Sequence, residues 1–414
     1  MSVFADLLST VFERRYSGAK VSDNRPLEEV VNDLLGSRGE VSGMSLARQI
    51  LDRYAKFGDA EKLDFFRHLL DHMGIDPERV RETLAAYDAH PDKASYRAFL
   101  SAAEPSRQEL ARRLNQVPGA TARLVSMRAD LLRLARETPA LAPIDLDFRH
   151  LFQSWFNRGF LVLRPVNWDS PATVLEKIIA YEAVHAIDSW DDLRRRLQPA
   201  DRRCFAFFHP SMPDEPLIFV EVALTKGIPG SIQNVLSESR RIIDASDADT
   251  AVFYSISNCQ VGLAGISFGN SLIKTVVADL TRGLPNLQTF VTLSPIPGLG
   301  AWLRETGHAA PIEPEMLRRL TARYLLTAKR SDGMPRDPVA RFHLGNGAQV
   351  EAVHARADTS PKGMSQSMGA MVNYRYDIAK ISQNHERFAD KHQIAVSADV
   401  RQLAKQAVTK KSEA

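Results

Sequence analysis

The stretch Ala251-Val-Phe-Tyr-Ser-Ile-Ser-Asn-Cys-Gln-Val-Gly-Leu-Ala-Gly265 joins an apolar strand pattern to a turn that contains two glycines. Its first seven residues are rich in β-branched and aromatic side chains and predict a strand from Ala251 to Ser257. A helical pattern follows from about Phe268 to Arg282. Glycine lets backbone N–H groups approach a phosphate, and the start of a helix adds a favourable dipole. Taken alone the pattern is weak evidence, because many such turns contain two glycines and bind nothing.

Further strands are predicted on both sides of this stretch. Upstream, Cys204 to Phe208 and Leu217 to Leu224 indicate a hairpin whose turn is rich in proline. Downstream, Gln288 to Leu293 predicts a strand that stops at Ser294-Pro-Ile-Pro-Gly298. Phe160 to Leu163 predicts one more strand before the hairpin. These segments, with helices between them, predict a mixed central sheet.

The first third of the chain carries helical patterns alone. Asp76-Pro77 predicts an N-cap followed by a proline at the first helical position, and Ser106 to Glu109 fits a capping box. Thr138 to Pro143 is punctuated by proline and predicts a linker. We therefore expect an α+β chain with an all-helical bundle domain, residues 1–140, followed by the sheet-containing domain, residues 141–414.

Composition excludes several classes of protein. The net charge of +3 and the pI of about 8.8 give too small an excess to indicate nucleic-acid binding. Two cysteines, Cys204 and Cys259, cannot make a disulfide framework and fit a reducing cytoplasm. No stretch approaches the roughly 18–20 apolar residues of a membrane span, and no basic segment precedes an apolar run at the N-terminus. We expect a cytoplasmic protein with no membrane partner.

Two side chains could carry proton-transfer chemistry. Ser294 ends a predicted strand, although serine before proline is more often a turn residue. His343 precedes Asn346-Gly347, which we interpret as the end of a short strand, and a histidine there is more often structural. By spacing alone, other histidines compete for the same role: His72, His90, His185, His209 and His354. No His-Glu-x-x-His pattern is present, so no metal site is predicted.

The turn resembles the pyrophosphate loop of the GNAT acyl-CoA fold. Cys259-x-x-Gly262-x-Ala264 has the spacing of that loop, with cysteine where glutamine or arginine is usual. The order hairpin, strand, turn, helix, strand is also the order of that fold's CoA-binding core. There two neighbouring parallel strands separate and the pantetheine arm enters the gap. The resemblance implies a thioester near Leu293 and Ser294.

The chain resembles the malonyl-CoA decarboxylase family in a succession of short blocks that follow the family's order beyond about residue 106. The central blocks are Arg203-Cys-Phe205, His209-Pro-Ser-Met-Pro-Asp-Glu-Pro-Leu217, Phe253-Tyr-Ser-Ile-Ser257, Gly262-Leu-Ala-Gly265 and Leu293-Ser-Pro-Ile-Pro-Gly298. The flanking blocks are Glu182-Ala-Val-His185, Phe342-His-Leu344 and Asn373-Tyr-Arg-Tyr376.

This resemblance implies a helical domain that assembles a homodimer or homotetramer and a GNAT-type catalytic domain. The family's catalytic serine and histidine fall on Ser294 and His343, and two residues that line the site fall on Tyr376 and Ser255. Contacts to CoA are implied for the turn and the following helix, at Gly262, Ala264, Gly265, Ser267 and Lys274. Some relatives carry glutamate where this chain has Ser267, so an acid acting there is in question. For Lys274, solvation at the surface is the more common role of such a lysine, and contact with a CoA phosphate is the alternative.

The implied reaction is loss of carbon dioxide from malonyl-CoA through a thioester enolate, which yields acetyl-CoA. It needs no metal and no cofactor, because malonyl-CoA is the substrate, and it belongs to malonate and fatty acid metabolism. Three other functions stay open on the residues alone. An acyltransferase would need an acceptor, a thioesterase would release free CoA, and an acyl-CoA sensor would have no turnover to lose on mutation.

Overall fold

The computed structural model describes residues 25–37, 39–266, 272–308 and 310–407. Contacts between Cα atoms divide the chain into two compact units. The helical unit comprises Met1–Trp155 together with the short segment Gln260–Ile266. The sheet unit comprises Phe156–Cys259 and Ser267–Ala414. No helix among the described residues is long and apolar enough to cross a membrane.

Helices build the described part of the helical unit. They are α1 (Leu27–Gly36), α2 (Glu40–Tyr54), α3 (Asp59–His72), α4 (Pro77–Ala89), α5 (Lys93–Ala103), α6 (Ser106–Leu114), α7 (Ala120–Leu134) and α8 (Ala142–Trp155). Short 3-10 helices lie at Pro139–Leu141 and Val261–Leu263. The core is aromatic and aliphatic, with Phe66, Leu124 and Phe152 fully buried.

The unit boundary differs from the predicted one. The proline-punctuated segment from Thr138 forms a 3-10 helix that leads directly into α8, and α8 buries Ile144, Phe148 and Phe152. Those side chains contribute to the core of the helical unit, so the division falls after Trp155 and not after residue 140. Proline at the start of a helix is compatible with helical geometry and does not by itself mark a domain boundary.

Among the described residues of the other unit, eight strands form one mixed sheet. They are β1 (Val162–Val166), β2 (Arg202–His209), β3 (Met212–Thr225), β4 (Thr250–Asn258), β5 (Thr289–Thr292), β6 (Ser294–Pro295), β7 (Gln349–His354) and β8 (Met371–Arg375). Their order is β1-β2-β3-β4-β5-β8-β6, and β7 pairs with β8. All pairs are antiparallel except β4 with β5.

Helices accompany this sheet along the chain. They are α9 (Ala172–Tyr181), α10 (Trp190–Leu197), α11 (Ile232–Leu236), α12 (Leu272–Gly283), α13 (Leu299–Glu305), α14 (Pro314–Thr327), α15 (Pro338–Gly345), α16 (Pro361–Ser367), α17 (Ile381–Lys391) and α18 (Ala398–Gln406). Short 3-10 helices lie at Arg158–Phe160 and Ala245–Asp247. The largest core cluster combines apolar side chains of the sheet with those of α12, α14 and α15.

The parallel strands β4 and β5 pair over only part of β4. Their register runs from Thr250 opposite Thr289 to Phe253 opposite Thr292. Beyond Phe253, β4 continues to Asn258 and, in the part of the chain that the structure describes, pairs there only with β3. The chain after β5 pairs instead with β8, at Ser294 and Pro295. The two parallel strands therefore separate at Phe253, as the resemblance to the GNAT fold implied.

A bulge reverses the faces of β4 at the same point. Glu221 of β3 lies opposite Ser255, whereas the next residue, Val222, lies opposite Phe253. Tyr254 is therefore an extra residue in β4, which is the definition of a bulge. Phe253 packs in the core cluster that lies on one face of the sheet. Ser255, paired with Glu221, consequently points to the other face.

Candidate active site

Ser294 lies where β5 gives way to a short strand. Thr292 ends β5, and Ser294 and Pro295 pair with β8 through Val372 and Met371. The side chain is nearly buried, with 5% of its surface exposed. Prolines that lack an N–H cannot extend the ladder, so the strand stops within two residues. The serine hydroxyl is thus held at the separating end of the parallel pair.

His343 lies on a helix, so the predicted short strand was wrong. Asp337 caps the N-terminus of α15 by accepting hydrogen bonds from the N–H groups of Val339 and Ala340, at 2.9 and 3.0 Å. Proline at position 338 has the fixed φ that suits a first helical residue. The helix ends at Gly345, which puts His343 in its last turn. The apolar segment around His343 is too short for the spacing of its residues to distinguish a helix from a strand.

The carboxylate of Asp337 also connects the helix to the segment after Ser294. Its second oxygen accepts a hydrogen bond from the N–H of Gly298, at 3.2 Å. Asp337 is 2% exposed, and burial raises the pKa of its carboxyl group. One buried side chain therefore holds both the helix that carries His343 and the turn that follows Ser294.

The structure brings Ser294 and His343 together. Ser294 Oγ lies 3.1 Å from Nε2 of His343, within hydrogen-bond distance. The imidazole is 3% exposed and stacks on the ring of Tyr374, with 4.6 Å between ring centroids and 23° between planes. Burial lowers the pKa of His343 to about 3, so the imidazole is neutral near pH 7.

Tyr376 occupies the opposite side of the same imidazole. Its hydroxyl oxygen lies 2.8 Å from Nδ1 of His343. Burial raises the pKa of Tyr376 well above its usual value, so the phenol keeps its proton. Tyr376 therefore fixes the ring of His343 through a hydrogen bond. The resemblance had implied only that Tyr376 lines the site.

Thr292 is a member of this cluster that sequence reasoning missed. Ser294 Oγ donates a hydrogen bond to Thr292 Oγ1, at 2.8 Å. The backbone N–H of Tyr374 donates to the same oxygen, at 3.1 Å. Thr292 is fully buried. The signal available in the sequence was alternation, because residues 292 and 294 of one extended segment share a face.

Ser255 lies in a different polar cluster, on the other face of the sheet. Its hydroxyl donates to the carboxylate of Glu182, whose two oxygens lie 2.8 and 2.7 Å from Oγ. Ser257 donates to the same carboxylate at 3.3 Å, and the N–H groups of Val184 and His185 donate to it at 2.7 and 2.8 Å. Glu182 was quoted only as part of a family block, and its side chain organises this cluster.

The glycine turn belongs to the helical unit, and packing explains its first glycine. A Cβ atom at Gly262 would lie against the carbonyl group of Val125 in α7. The buried guanidinium of Arg128 donates to the carbonyl oxygens of Gly262 and Ala264, at 2.7 and 3.0 Å. The amide of Ala264 donates to the carbonyl of Val261, so it is already engaged. Close packing against α7 therefore requires glycine at position 262, independently of any phosphate binding by the turn.

Gly265 presents a different environment within the same turn. Its φ of +74° is a left-handed conformation that side chains rarely adopt. The guanidinium of Arg149 in α8 lies about 4 Å from the Cβ position of Gly265, and Nε of Arg149 is buried without a hydrogen-bond partner among the described residues. An orphaned cationic donor beside a glycine amide is suited to an oxyanion. Ser267, the next predicted contact, lies outside the described residues.

Lys274 lies in the first turn of α12 and is half-buried. Burial lowers the pKa of its ammonium group, the positive charge of Arg158 lowers it further, and Glu386 raises it. Two neighbouring cations repel each other unless an anion lies close to them. The described residues contain no group of three histidine, cysteine or acidic side chains arranged to hold a metal ion.

Comparison with known proteins gives consistent results for both units. The model of the malonyl-CoA decarboxylase C-terminal domain matches residues 159–314 and 306–414, and that of the N-terminal domain matches residues 73–156. The crystal structure of malonyl-CoA decarboxylase from Rhodopseudomonas palustris is 48% identical and has a TM-score of 0.85, with 91% of this chain and 98% of that chain covered. The crystal structure of malonyl-CoA decarboxylase from Agrobacterium vitis is 49% identical and has a TM-score of 0.85, with 91% of this chain and 99% of that chain covered.

A curated relative extends the similarity to animals. The mitochondrial malonyl-CoA decarboxylase of Anser anser anser is 34% identical over 388 residues, which cover 79% of this chain and 77% of the relative. The matches span the helical segment as well as the sheet, so the similarity is not limited to one unit.

Proposed function

This chain belongs to the malonyl-CoA decarboxylase family, and from that premise we propose that it converts malonyl-CoA into acetyl-CoA and carbon dioxide at Ser294 and His343. One observation carries the choice of residues. Ser294 and the neutral imidazole of His343 are hydrogen-bonded at the point where β4 and β5 separate.

The reaction breaks the bond between the carboxylate carbon and Cα of the malonyl group. Its electron pair passes into the thioester, which becomes an enolate as carbon dioxide leaves. A proton then forms the new bond at Cα. Malonyl-CoA and one proton, supplied by water, thus give acetyl-CoA and carbon dioxide. The protein must stabilise the enolate oxygen and deliver the proton.

Ser294 and His343 have the functional groups for these two tasks. One donates a hydrogen bond to the enolate oxygen or the malonyl carboxylate, and the other delivers the proton. A preorganised donor in a site that excludes water is worth about 10²–10³ in kcat, and a positioned acid about 10²–10⁴. Tyr376 supports the imidazole from Nδ1. Because both side chains are nearly buried, the carboxylate would also lose its hydration, which favours its departure.

We propose phosphate contacts for CoA from Gly265 and Arg149 in the helical unit, and, separately, from Lys274 in the sheet unit. The orphaned Nε of Arg149 supports the first, and the positive charge of Arg158 near Lys274 supports the second, because an anion would relieve the repulsion between those two cations. Gly262 and Ala264 would contribute the shape of the turn. Ser255 stays a proposed substrate contact, for which the malonyl carboxylate would replace Glu182 as its hydrogen-bond acceptor.

The decisive experiment uses purified protein and malonyl-CoA with no acceptor present. We expect carbon dioxide in the headspace and acetyl-CoA in solution in equal amounts. Release of free CoA and malonate would instead identify a thioesterase, the second candidate, because a serine next to a histidine is also the arrangement of an acyl-enzyme nucleophile. A requirement for an amine would identify an acyltransferase.

We further propose that the enzyme acts in the cytoplasm as a homo-oligomer and needs neither cofactor nor metal. Both cysteines are free and buried, which is compatible with a reducing compartment. Loss of carbon dioxide next to a thioester needs no external electron sink, because the thioester accepts the electron pair. Dialysis against a chelator is therefore expected to leave the rate unchanged, and lost activity restored by one metal ion would contradict the proposal.

The hairpin of α4 and α5 is the part of the helical unit on which we place the contact between subunits. Helix α4 has no buried residue and α5 buries only Ala102. Leu84, Tyr96 and Leu100 expose 42%, 49% and 48% of their surface. Apolar side chains at that density on one hairpin are typical of a surface that a second copy covers.

A further inference from the structure

Four side chains form a single row of hydrogen bonds that ends at Thr292. Tyr376 contacts Nδ1 of His343, Nε2 of His343 contacts Ser294, and Ser294 contacts Thr292, over distances of 2.8, 3.1 and 2.8 Å. Every member is at least 95% buried among the described residues. Each hydroxyl has one proton to donate. The number of protons therefore determines which atom donates at each hydrogen bond of the row.

The last hydrogen bond fixes the direction of the others. Ser294 donates its only proton to Thr292, and it must therefore accept at the bond that it makes with His343. Nε2 of His343 consequently carries the ring proton. Nδ1 is then the unprotonated nitrogen, and it accepts the phenolic proton of Tyr376. Every proton in the row points from Tyr376 towards Thr292.

Thr292 is held in place to act as the acceptor. Its hydroxyl oxygen receives the N–H of Tyr374 as well as the hydroxyl of Ser294. Its backbone carbonyl receives a hydrogen bond from the side-chain amide of Asn373, at 2.7 Å. Asn373 is itself contacted by Nε2 of His354, at 2.5 Å. Strand β8 therefore positions Thr292 through hydrogen bonds to both the backbone and the side chain of Thr292.

We propose that Thr292 is a positioning residue: by accepting the proton of Ser294 it keeps Nε2 of His343 protonated, and so keeps Ser294 from acting as a nucleophile. The inference rests on the proposed function, because it concerns how one site decarboxylates malonyl-CoA without hydrolysing it. It adds a residue that the family resemblance did not supply.

The chemistry of hydrolysis explains why the direction matters. For hydrolysis, Ser294 Oγ bonds to the thioester carbon while its proton moves to Nε2 of His343. The carbon–sulfur bond then breaks, the CoA thiolate takes that proton, and water later releases malonate from the serine ester. The first step requires an unprotonated Nε2. With the proton already on Nε2, the imidazole is an acid and suits protonation of the enolate.

The first test measures the tautomer in the resting protein. Nitrogen-15 NMR of histidine-labelled protein separates protonated from unprotonated ring nitrogens, and His343→Gln identifies the signal. We expect Nε2–H in the wild-type protein and a shift towards Nδ1–H in Thr292→Val, which keeps the shape but removes the acceptor. Thr292→Ser restores the hydroxyl and is expected to restore Nε2–H. Tyr376→Phe is expected to keep Nε2–H, because Thr292 still takes the serine proton.

The second test compares products. In Thr292→Val we expect the ratio of free CoA to carbon dioxide to rise by about tenfold or more, and in Thr292→Ser to return towards the wild-type value. A purely structural role for Thr292 would lower both products together. Nδ1–H in the wild-type protein, or an unchanged tautomer in Thr292→Val, overturns the inference even if carbon dioxide is formed normally. Nε2–H in a protein that forms no carbon dioxide counts only against the proposed function.

Discussion

At the scale of single residues, the site depends on burial. Ser294, His343 and Tyr376 lie in a low-dielectric environment, which keeps the imidazole neutral and the phenol protonated. Hydrogen bonds among neutral groups then determine where each proton lies. The same burial makes these side chains difficult to replace without a measurable effect.

Removing either member of the pair should reduce turnover and spare binding. We expect Ser294→Ala and His343→Gln each to lower kcat on the order of 10²–10³, because each removes a preorganised donor or acid. Affinity for CoA, measured by calorimetry, should stay nearly unchanged. The exposed residues Ser246 and His90 supply matched controls, Ser246→Ala and His90→Gln, that should retain full rate. Rates close to wild type in both site variants would remove the pair from the mechanism.

His343 should also make stability depend on pH. Its pKa is lowered from 6.5 to about 3 by burial, so below pH 6.5 the unfolded chain binds a proton that the folded chain does not. The free energy of unfolding therefore falls as the pH drops through that window, by about 1.4 kcal/mol per pH unit. Urea unfolding at about pH 7 and about pH 5 should show a smaller fall for His343→Gln than for the wild type. An equal fall would mean that the imidazole is protonated in the folded protein.

At the scale of elements, capping patterns in the sequence predicted one helix N-terminus correctly and another wrongly. Asp76 accepts hydrogen bonds from two backbone N–H groups at the start of α4, as predicted from Asp76-Pro77. The predicted capping box at Ser106 was wrong, because α6 begins at Ser106 with Pro105 as its cap, and Glu109 pairs with Arg112 and Arg113. Both sequences fit a capping pattern, and only the path of the preceding chain distinguishes them.

The hairpin of β2 and β3 shows what a sequence does not reveal about strands. Prolines indicated a long turn between the two, yet β3 begins at Met212 and contains Pro213 and Pro216. The register shifts near His209, where the ladder absorbs residues that cannot donate an N–H. The separation of two parallel strands was predicted through the resemblance to the GNAT fold, but the residue at which it occurs, Phe253, and the place of β8 beside β5 were not. The direction of the hydrogen bonds at Thr292 required coordinates.

The cap of α15 gives a prediction at this scale. Asp337→Ala removes three accepted hydrogen bonds, from Val339, Ala340 and Gly298, and should loosen the helix end that orients His343. We expect kcat to fall more than KM rises. Asp337→Asn keeps one amide oxygen as acceptor and should lose less. If both variants match the wild type in kcat, the position of His343 does not depend on this cap.

The glycine turn gives a second prediction at the scale of elements. Gly262→Ala introduces a methyl group against the carbonyl of Val125 and should destabilise the helical unit by about 1–3 kcal/mol in thermal unfolding. Gly283→Ala is the control, since nothing lies within 4 Å of its Cβ position. Equal stability of the two variants would show that the turn can move away from α7 without cost.

At the scale of the whole molecule, assembly is the property to test. Leu84→Arg combined with Leu100→Arg places two charges on the hairpin of α4 and α5, and desolvating them at a subunit interface would be costly. Light scattering after gel filtration should show smaller particles than the wild type. Ile378→Arg, at a residue 59% exposed in the sheet unit, should leave the mass unchanged. If the double variant keeps the wild-type mass, the contact lies elsewhere.

The early end of the pairing between β4 and β5 has a consequence for how the sheet unit holds a substrate. From Tyr254 to Asn258, no strand pairs with β4 on the side of β5 among the described residues. The pantetheine arm of an acyl-CoA has amide groups of its own. It can therefore pair with this edge in place of a strand, as in β-augmentation. Hydrogen–deuterium exchange of this edge would then slow when acetyl-CoA is added. On this expectation the ligand supplies the missing neighbour of β4, and exchange that is equally fast with and without acetyl-CoA would contradict it.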